Sequence, residues 1–236
     1  MIAVTGGAGF IGKVLIESLQ KRTNEDILNV DFRVHSKVRT IHPYEFLEKM
    51  GIKKYANAIS VVFHNGACSA TTNQDIHYMM KNNFDYSTVL LRRCMDNYTR
   101  IIYASSASVY GIPDNKLFHE DDAHDPRNVY ALTKSLFDQY AETFLNYDSQ
   151  IVGLRYFNVF GRYEDHKGDM SSVVYKFFNQ KETGKIKLFN GSEKFRRDFI
   201  HVDDIIDINF FFFIPTSHSV TSSGGGRVGS NLHCGS

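Results

Sequence analysis

Tyr130 and Lys134 stand four residues apart in Tyr130-Ala131-Leu132-Thr133-Lys134, a spacing that puts both side chains on one face of a helix. A lysine ammonium beside a phenol favours the phenolate and would bring the tyrosine pKa toward a useful range. Such a tyrosine can exchange a proton with an alcohol while a nicotinamide takes or gives hydride. Tyr-x-x-x-Lys alone is commonplace on helix surfaces. Ser105 and Ser106 add weight to it, because they close an apolar run, residues 101–104, that reads as a buried strand. Ligands gather beyond the carboxyl ends of strands in open α/β sheets, and a serine hydroxyl there can hydrogen-bond the reacting oxygen.

A hydride carrier has its own signature at the N-terminus. Thr5-Gly6-Gly7-Ala8-Gly9-Phe10-Ile11-Gly12 holds glycines in two registers, with Gly7, Gly9 and Gly12 as GxGxxG and Gly6, Gly9 and Gly12 as GxxGxxG. Missing side chains let the backbone approach a pyrophosphate, and the following helix offers free N–H groups and the positive end of its dipole. Glycines alone are weak evidence. Here an apolar run precedes them, a helical pattern follows, and Asp31 lies 19 residues after Gly12. Asp31 can accept from a ribose 2′-hydroxyl, which suits NAD. Arg33 and Lys37 can neutralise a 2′-phosphate, which suits NADP. The residues by themselves leave that choice open.

The elements that must position these groups alternate. Short apolar runs at Ile2–Thr5, Ile27–Val30, Val61–His64, 101–104 and Ile151–Tyr156 read as strands. Helical periodicity covers about 10–20, 74–97 and 128–145. The pattern predicts an α/β chain with a doubly wound parallel sheet. Only 29 residues separate Asp31 from Val61, so one element there is lost or shortened, and residues 38–41 read as the stub of a strand. We expect a dinucleotide-binding domain over 1–160, a partial substrate lobe over 161–214 and a disordered Ser/Gly-rich tail over 215–236. Phe210-Phe211-Phe212-Phe213 is expected to leave an uncovered apolar patch.

The chain has 236 residues, 42% hydrophobic and 22% charged, with a formal net charge of +1. That balance supports a soluble globular fold and gives no reason to expect nucleic acid or an anionic membrane as partner. Cys68, Cys94 and Cys234 are odd in number and widely spaced, which fits neither a disulfide framework nor a metal site and points to a reducing compartment. No targeting segment is expected before the glycines. The expectation is a cytoplasmic protein, with a homo-oligomer left open.

Longer segments carry a resemblance. Tyr103-Ala104-Ser105-Ser106-Ala107-Ser108-Val109-Tyr110-Gly111 resembles the active-site strand of extended short-chain dehydrogenase/reductases with the Rossmann fold that modify nucleotide sugars. Asn65-Gly66-Ala67-Cys68-Ser69, Asn82-Asn83, Arg155-Tyr156-Phe157-Asn158-Val159-Phe160-Gly161, His166-Lys167-Gly168, Phe189-Asn190-Gly191-Ser192 and Arg196-Arg197-Asp198-Phe199 narrow it to the ADP-L-glycero-D-manno-heptose 6-epimerase family. The resemblance runs from Met1 to about Asn209, and the His166-Lys167-Gly168 loop is its most discriminating piece.

It implies an NADP-dependent epimerase, with NAD as the alternative cofactor, that inverts the sixth carbon of ADP-heptose through transient oxidation. Tyr130 and Lys167 would be the two acid/bases, Lys134 would orient the tyrosine and cofactor, and Ser106 would assist. Gly6, Gly9, Phe10, Ile11, Gly12, Asp31, Phe32, Lys37, Asn65, Gly66, Ala67, Cys68, Ser69, Asn82 and Val159 would hold the cofactor together with Tyr130 and Lys134. Ser106, Asn158, Lys167, Asp169, Lys176, Phe189, Asn190, Gly191, Ser192 and Arg197 would hold the substrate. Two positions depart from the family, Asp169 in place of a small serine and Lys176 in place of a histidine. The resemblance also implies that the C-terminal substrate lobe is incomplete after about Asn209. Two other readings compete. Another nucleotide-sugar epimerase or dehydratase would share Tyr130 and Lys134 but have no use for Lys167. A cofactor-binding remnant would turn nothing over.

Overall fold

The computed structural model describes residues 1–112, 117–144, 150–182, 184–186, 188, 190–194, 196–214 and 232–234. In chain order the elements are β1 (Ile2–Thr5), α1 (Phe10–Arg22), β2 (Ile27–Val30), β3 (Arg39–Ile41), α2 (Pro43–Met50), α3 (Lys53–Ala56), β4 (Val61–His64), α4 (Ile76–Met79), α5 (Tyr86–Asp96), β5 (Arg100–Ser106), α6 (Val129–Glu142) and β6 (Ile151–Tyr156). A second region follows with β7 (Asn158–Phe160), α7 (Val173–Glu182), β8 (Phe199–His201) and α8 (Val202–Phe213), and β9 (Leu232–Cys234) then returns to the first sheet.

The strand runs are apolar on both sides because both faces of the sheet are covered. Ile2, Val4, Val61, Phe63 and Ile102 turn to the layer containing α1 and α8, while Ala3, Val62 and Ile101 turn to the layer containing α2, α5 and α6. All pairings in the sheet are parallel, in the order β3-β2-β1-β4-β5-β6-β9. The order reverses between β1 and β4, which opens a crevice beyond their carboxyl ends. The α/β fold with a doubly wound parallel sheet is therefore present, with the glycines at its switch point.

The shortened stretch is resolved by the topology. Residues 39–41 do form a strand, paired Leu28↔Arg39 to Val30↔Ile41, and α2 and α3 follow it. The missing element is the crossover helix between β2 and β3, replaced by the eight-residue link 31–38. Parallel neighbours ordinarily need a dozen or more residues, usually including a helix.

The helical stretch expected at 74–97 is not uniform. Asp75 caps α4, its Oδ1 accepting from Tyr78 N–H at 3.0 Å, and Met80–Asp85 winds as a π-helix before α5 begins. π-Helical turns are rare and occur frequently at functional sites. This one carries Asn82 and Asn83.

In the second region β7 pairs parallel with β8, and α8 returns to pack on α1. Arg22 donates to Asp207 Oδ1 at 2.7 Å and lays its guanidinium 4.6 Å from the Phe210 ring centroid. The phenylalanine run is therefore largely covered. Phe210 is buried and Phe212 and Phe213 pack against the core, which leaves Phe211, 65% exposed, as its one outward ring. The tail expected to be disordered lies outside the described residues except at 232–234, where it adds β9 beside β6. No described helix is long and apolar enough to cross a membrane.

Candidate active site

At the switch point the glycine turn and the 65–69 loop meet backbone to backbone. Gly6 has φ +67°, and a Cβ there would lie 2.8 Å from Gly66 Cα. A Cβ on Gly12 would lie 2.2 Å from the Gly6 carbonyl oxygen. Gly9 caps α1 with no side-chain hydrogen bond, so the helix presents free N–H groups to the crevice. Asn65 lines the same space, and its buried Nδ2 has no protein partner. The cleft has a volume of about 600 Å3, within the range of small-molecule sites. A glycine cradle, an unopposed helix N-terminus and an unsatisfied amide donor fit a dinucleotide.

Asp31 lines the cleft just after β2. Its Oδ2 accepts from Ala8 N–H at 3.1 Å and its Oδ1 from Arg33 N–H at 3.0 Å. A carboxylate has about four lone-pair sites, so capacity remains for ribose hydroxyls. Arg33 lines the cleft with its Nε 3.8 Å from Asp31 Oδ1. Lys37 does not line it and instead donates to Glu17 Oε1 at 3.3 Å. The short link after β2 aims these two cations in different directions, which their spacing could not reveal.

The pair on α6 is positioned by the helix start. Asn128 Oδ1 accepts from Ala131 N–H at 2.8 Å, a cap of the kind worth about 1 kcal/mol. Lys134, 7% exposed, donates to the Ala104 carbonyl at 2.6 Å and holds its ammonium 5.9 Å from the Tyr130 ring centroid. Burial pushes Lys134 down to about 8, opposed by the Asp138 charge. Burial pushes the Tyr130 phenol up to about 12, and a hydrogen bond with Ser106 pulls against it. The lowered phenol expected from the sequence is thus not found, because the cost of burying phenolate outweighs that hydrogen bond and the ammonium is committed to a carbonyl. The two serines divide. Both line the cleft, but the buried Ser105 hydroxyl is committed to Asp138, donating to Oδ2 at 2.8 Å, while Ser106 hydrogen-bonds the Tyr130 phenol.

Lys134 should titrate near pH 8, against about 10.5 for an ordinary lysine. Between those values the unfolded chain holds a proton that the folded chain lacks, so this group makes stability rise with pH across that window. Carbon-13 NMR of lysine Cε, assigned with Lys134→Met, tests this. A Lys134 midpoint near 10.5 would overturn it.

Lys167 reaches the same cleft from the 3-10 turn Asp165–Met170. Its Nζ lies 3.6 Å from Glu164 Oε2 and 4.8 Å from the Phe10 ring centroid. Burial lowers its pKa, while the Glu164 charge raises it. Glu164 is fully buried and anchors the turn by accepting from Gly161 N–H, Ser172 N–H and Ser172 Oγ at 3.0, 2.6 and 2.8 Å.

The cleft therefore gathers Ser106, Tyr130, Lys134, Lys167, Gly6, Gly9, Phe10, Ile11, Gly12, Asp31, Phe32, Asn65, Gly66, Ala67, Cys68, Ser69, Asn82 and Val159. It does not gather Lys37, Asn158, Asp169, Lys176, Asn190, Gly191, Ser192 or Arg197, and Phe189 lies outside the described residues. Asn158 Nδ2 donates to the Asp198 carbonyl at 2.8 Å, and Lys176 Nζ to the Asp169 carbonyl at 2.7 Å. The sequence reading missed Tyr44, Tyr86 and His166, which also line the cleft. It also missed the buried ion pair behind it, Arg155 Nε to Asp138 Oδ2 at 3.0 Å. Asp138 sits one helical turn beyond Lys134, and that i+4 spacing was the available signal.

A model of the NAD dependent epimerase/dehydratase family matches residues 2–215. The ADP-L-glycero-D-manno-heptose-6-epimerase of Brachyspira hyodysenteriae is 42% identical over 245 residues, covering 97% of this chain and 77% of that protein. The protein of the same name from Alkalilimnicola ehrlichii is 41% identical over 247 residues with the same coverage. The crystal structure of Helicobacter pylori ADP-L-glycero-D-manno-heptose-6-epimerase superposes with a TM-score of 0.76 at 29% identity, over 89% of this chain and 71% of that one. At this identity and coverage the chain belongs to the NAD dependent epimerase/dehydratase family, where it stands with the ADP-L-glycero-D-manno-heptose-6-epimerases.

Proposed function

We propose that the chain is an NADP-dependent epimerase that inverts C6 of ADP-D-glycero-D-manno-heptose, giving the L-glycero epimer through a transient carbonyl at that carbon. The observation that carries this reading is that two separate side chains able to exchange protons, Tyr130 and Lys167, line one cleft with the glycine cradle. A simple oxidoreductase needs one. Inversion needs the substrate oxygen to be served in two positions, because the carbonyl must present its other face before reduction.

Bound at the cradle, NADP would supply the hydride acceptor and then the donor. Tyr130 would exchange a proton with the substrate oxygen in one orientation, with Ser106 hydrogen-bonded to its hydroxyl. Lys134 holds the Ala104 carbonyl and fixes the end of β5 beneath the tyrosine. Lys167 would serve the second orientation, where a partly buried amine of lowered pKa gives up and regains a proton readily. Arg33, in place of Lys37, would meet the 2′-phosphate. The substrate contacts proposed for Asn158, Asp169, Lys176, Asn190, Gly191, Ser192 and Arg197 lie beyond the cleft walls and would require the sugar nucleotide to bridge to them. The reading also places the enzyme in the cytoplasm, in keeping with the free thiols of Cys68 and Cys94.

The test is turnover. Incubated with NADP and ADP-D-glycero-D-manno-heptose, the chain should produce the L-glycero epimer, resolved by proton NMR. Conversion of a UDP-hexose with no action on the heptose would replace this reading with that of a different nucleotide-sugar enzyme. Cofactor binding with no sugar turnover would reduce it to a binding module.

A further inference from the structure

From Thr5 in the cleft wall, a chain of polar groups that the mechanism does not use runs back behind the cradle. Thr5 ends β1 and His64 ends β4, side by side in register. Gly66 N–H donates to Thr5 Oγ1 at 3.0 Å, and Thr5 Oγ1 lies 2.6 Å from His64 Nδ1. His64 Nε2 lies 2.8 Å from Ser87 Oγ, which donates to the Asn83 carbonyl at 2.6 Å. Thr5, His64, Ser87 and Asn83 are all buried. Asn83 in turn clamps the 65–69 loop, accepting from Cys68 N–H at 2.7 Å and donating to the Cys68 carbonyl at 3.0 Å. Its Nδ2 also reaches Thr133 Oγ1 at 3.1 Å, and that hydroxyl donates to the Tyr130 carbonyl at 2.7 Å.

The protons in this chain can be counted. The Asn83 carbonyl carries none, so the Ser87 hydroxyl must supply the one between them. Ser87 Oγ then has only lone pairs for His64, which fixes the imidazole proton on Nε2. Nδ1 is left as an acceptor, so the Thr5 hydroxyl donates to it and accepts from Gly66 N–H. Every donor has one acceptor, and the order runs one way. The opposite tautomer would set Nε2 against a hydroxyl whose proton is already committed. Burial, with a smaller contribution from the Lys134 charge, pushes His64 down to about 3, so the ring stays neutral.

We propose that Thr5, His64 and Ser87 are positioning residues, a one-way hydrogen-bond relay that fixes the spacing between the two cofactor-facing loops, residues 6–9 and 65–69, and ties both to the π-helical turn at Asn83. The spacing leaves no slack, since Gly6 and Gly66 meet where even one Cβ would clash. The π-helix belongs to the same device. It places Asn83 where one residue holds the Cys68 backbone, the Ser87 hydroxyl and the helix that carries Tyr130 and Lys134. The inference rests on reading the cleft as a dinucleotide site.

The experiment has two readouts on the full chain. Nitrogen-15 NMR of the wild-type imidazoles, without cofactor at neutral pH, should show His64 neutral with its proton on Nε2. Calorimetric titration with NADP and with NAD should show affinity reduced about 10-fold or more in Ser87→Ala, which removes two buried hydrogen bonds, from His64 and to the Asn83 carbonyl, and lies outside the cleft. Thr5→Val should show a similar loss and Thr5→Ser should restore affinity, with circular dichroism confirming a folded chain in each case. A proton on Nδ1, or wild-type affinity in both Ser87→Ala and Thr5→Val, would overturn the relay. Should Thr5→Val not fold, Ser87→Ala and the wild-type tautomer still decide. A wild-type chain that binds neither dinucleotide would overturn the reading of the cleft, and the relay with it.

Discussion

Tyr130→Phe is expected to slow epimerisation by about 10²–10⁴-fold, the usual cost of losing a positioned acid/base, while dinucleotide affinity stays at the wild-type level. The substitution removes one oxygen. Ser106 keeps a partner, because the Ser108 hydroxyl donates to it at 2.9 Å, so no buried hydroxyl is stranded. Lys134 keeps its bond to the Ala104 carbonyl. Lys167→Met is expected to give a loss of similar size for a different reason. The methionine stem can still lie against Phe10, and Glu164 keeps its three donors from Gly161 and Ser172, so the turn stays formed. The function expected to be missing is the second proton exchange proposed for Lys167. An aldehyde analogue that dismutates separates the two, since each variant should fail in a different half-reaction. A Lys167→Met chain that epimerises at the parent rate would return Lys167 to an ordinary loop lysine paired with Glu164 and favour a one-base enzyme.

The parts of this site that the sequence displays are those in which a residue type is forced by the backbone. Gly6 and Gly12 are such positions, because their neighbours are backbone atoms at distances no side chain tolerates. The strands are legible because both faces are buried, so their residues are apolar without alternation. Tyr130 and Lys134 are legible because four residues is one helical turn. What the sequence hides is side-chain direction in irregular segments. Arg33 and Lys37 sit in one eight-residue link, yet one lines the cleft and the other pairs with Glu17. Arg155 stands in an apolar strand run with no partner visible in the sequence, and Asp138, Tyr110 and His124 surround it in the fold. The π-helix is hidden too, because an extra residue in one turn leaves the average helical periodicity of 74–97 almost intact. The expected depression of the Tyr130 pKa failed for a related reason. Spacing puts a lysine near a phenol, but only burial and the Ala104 carbonyl decide what the ammonium does there.

Gly9→Val and Gly12→Ala are expected to fail in opposite ways, and the contrast tests the cradle. A Cβ on Gly12 would lie 2.2 Å from the Gly6 carbonyl oxygen and 2.6 Å from Gly7 Cα. Both are backbone atoms of the turn, so the helix and the turn must separate. Overpacking of this kind costs on the order of 1–3 kcal/mol or more, and Gly12→Ala should show it as a lower denaturant midpoint even without ligand. Gly9 has φ −83° and ψ −177°, extended backbone in which a β-branched residue is at ease. Its Cβ would lie 3.0 Å from the Gly6 carbonyl and 3.8 Å from the movable end of Arg33, so the folded chain needs to give by only a few tenths of an ångström. The valine methyls would instead occupy the space through which a pyrophosphate approaches the α1 N-terminus. Gly9→Val should therefore unfold close to the wild-type midpoint yet lose dinucleotide affinity by roughly 100-fold or more, a difference of about 2.7 kcal/mol. Unchanged affinity in a folded Gly9→Val chain would mean that the pyrophosphate does not lie over this turn, and the assignment of the cleft would fall with it.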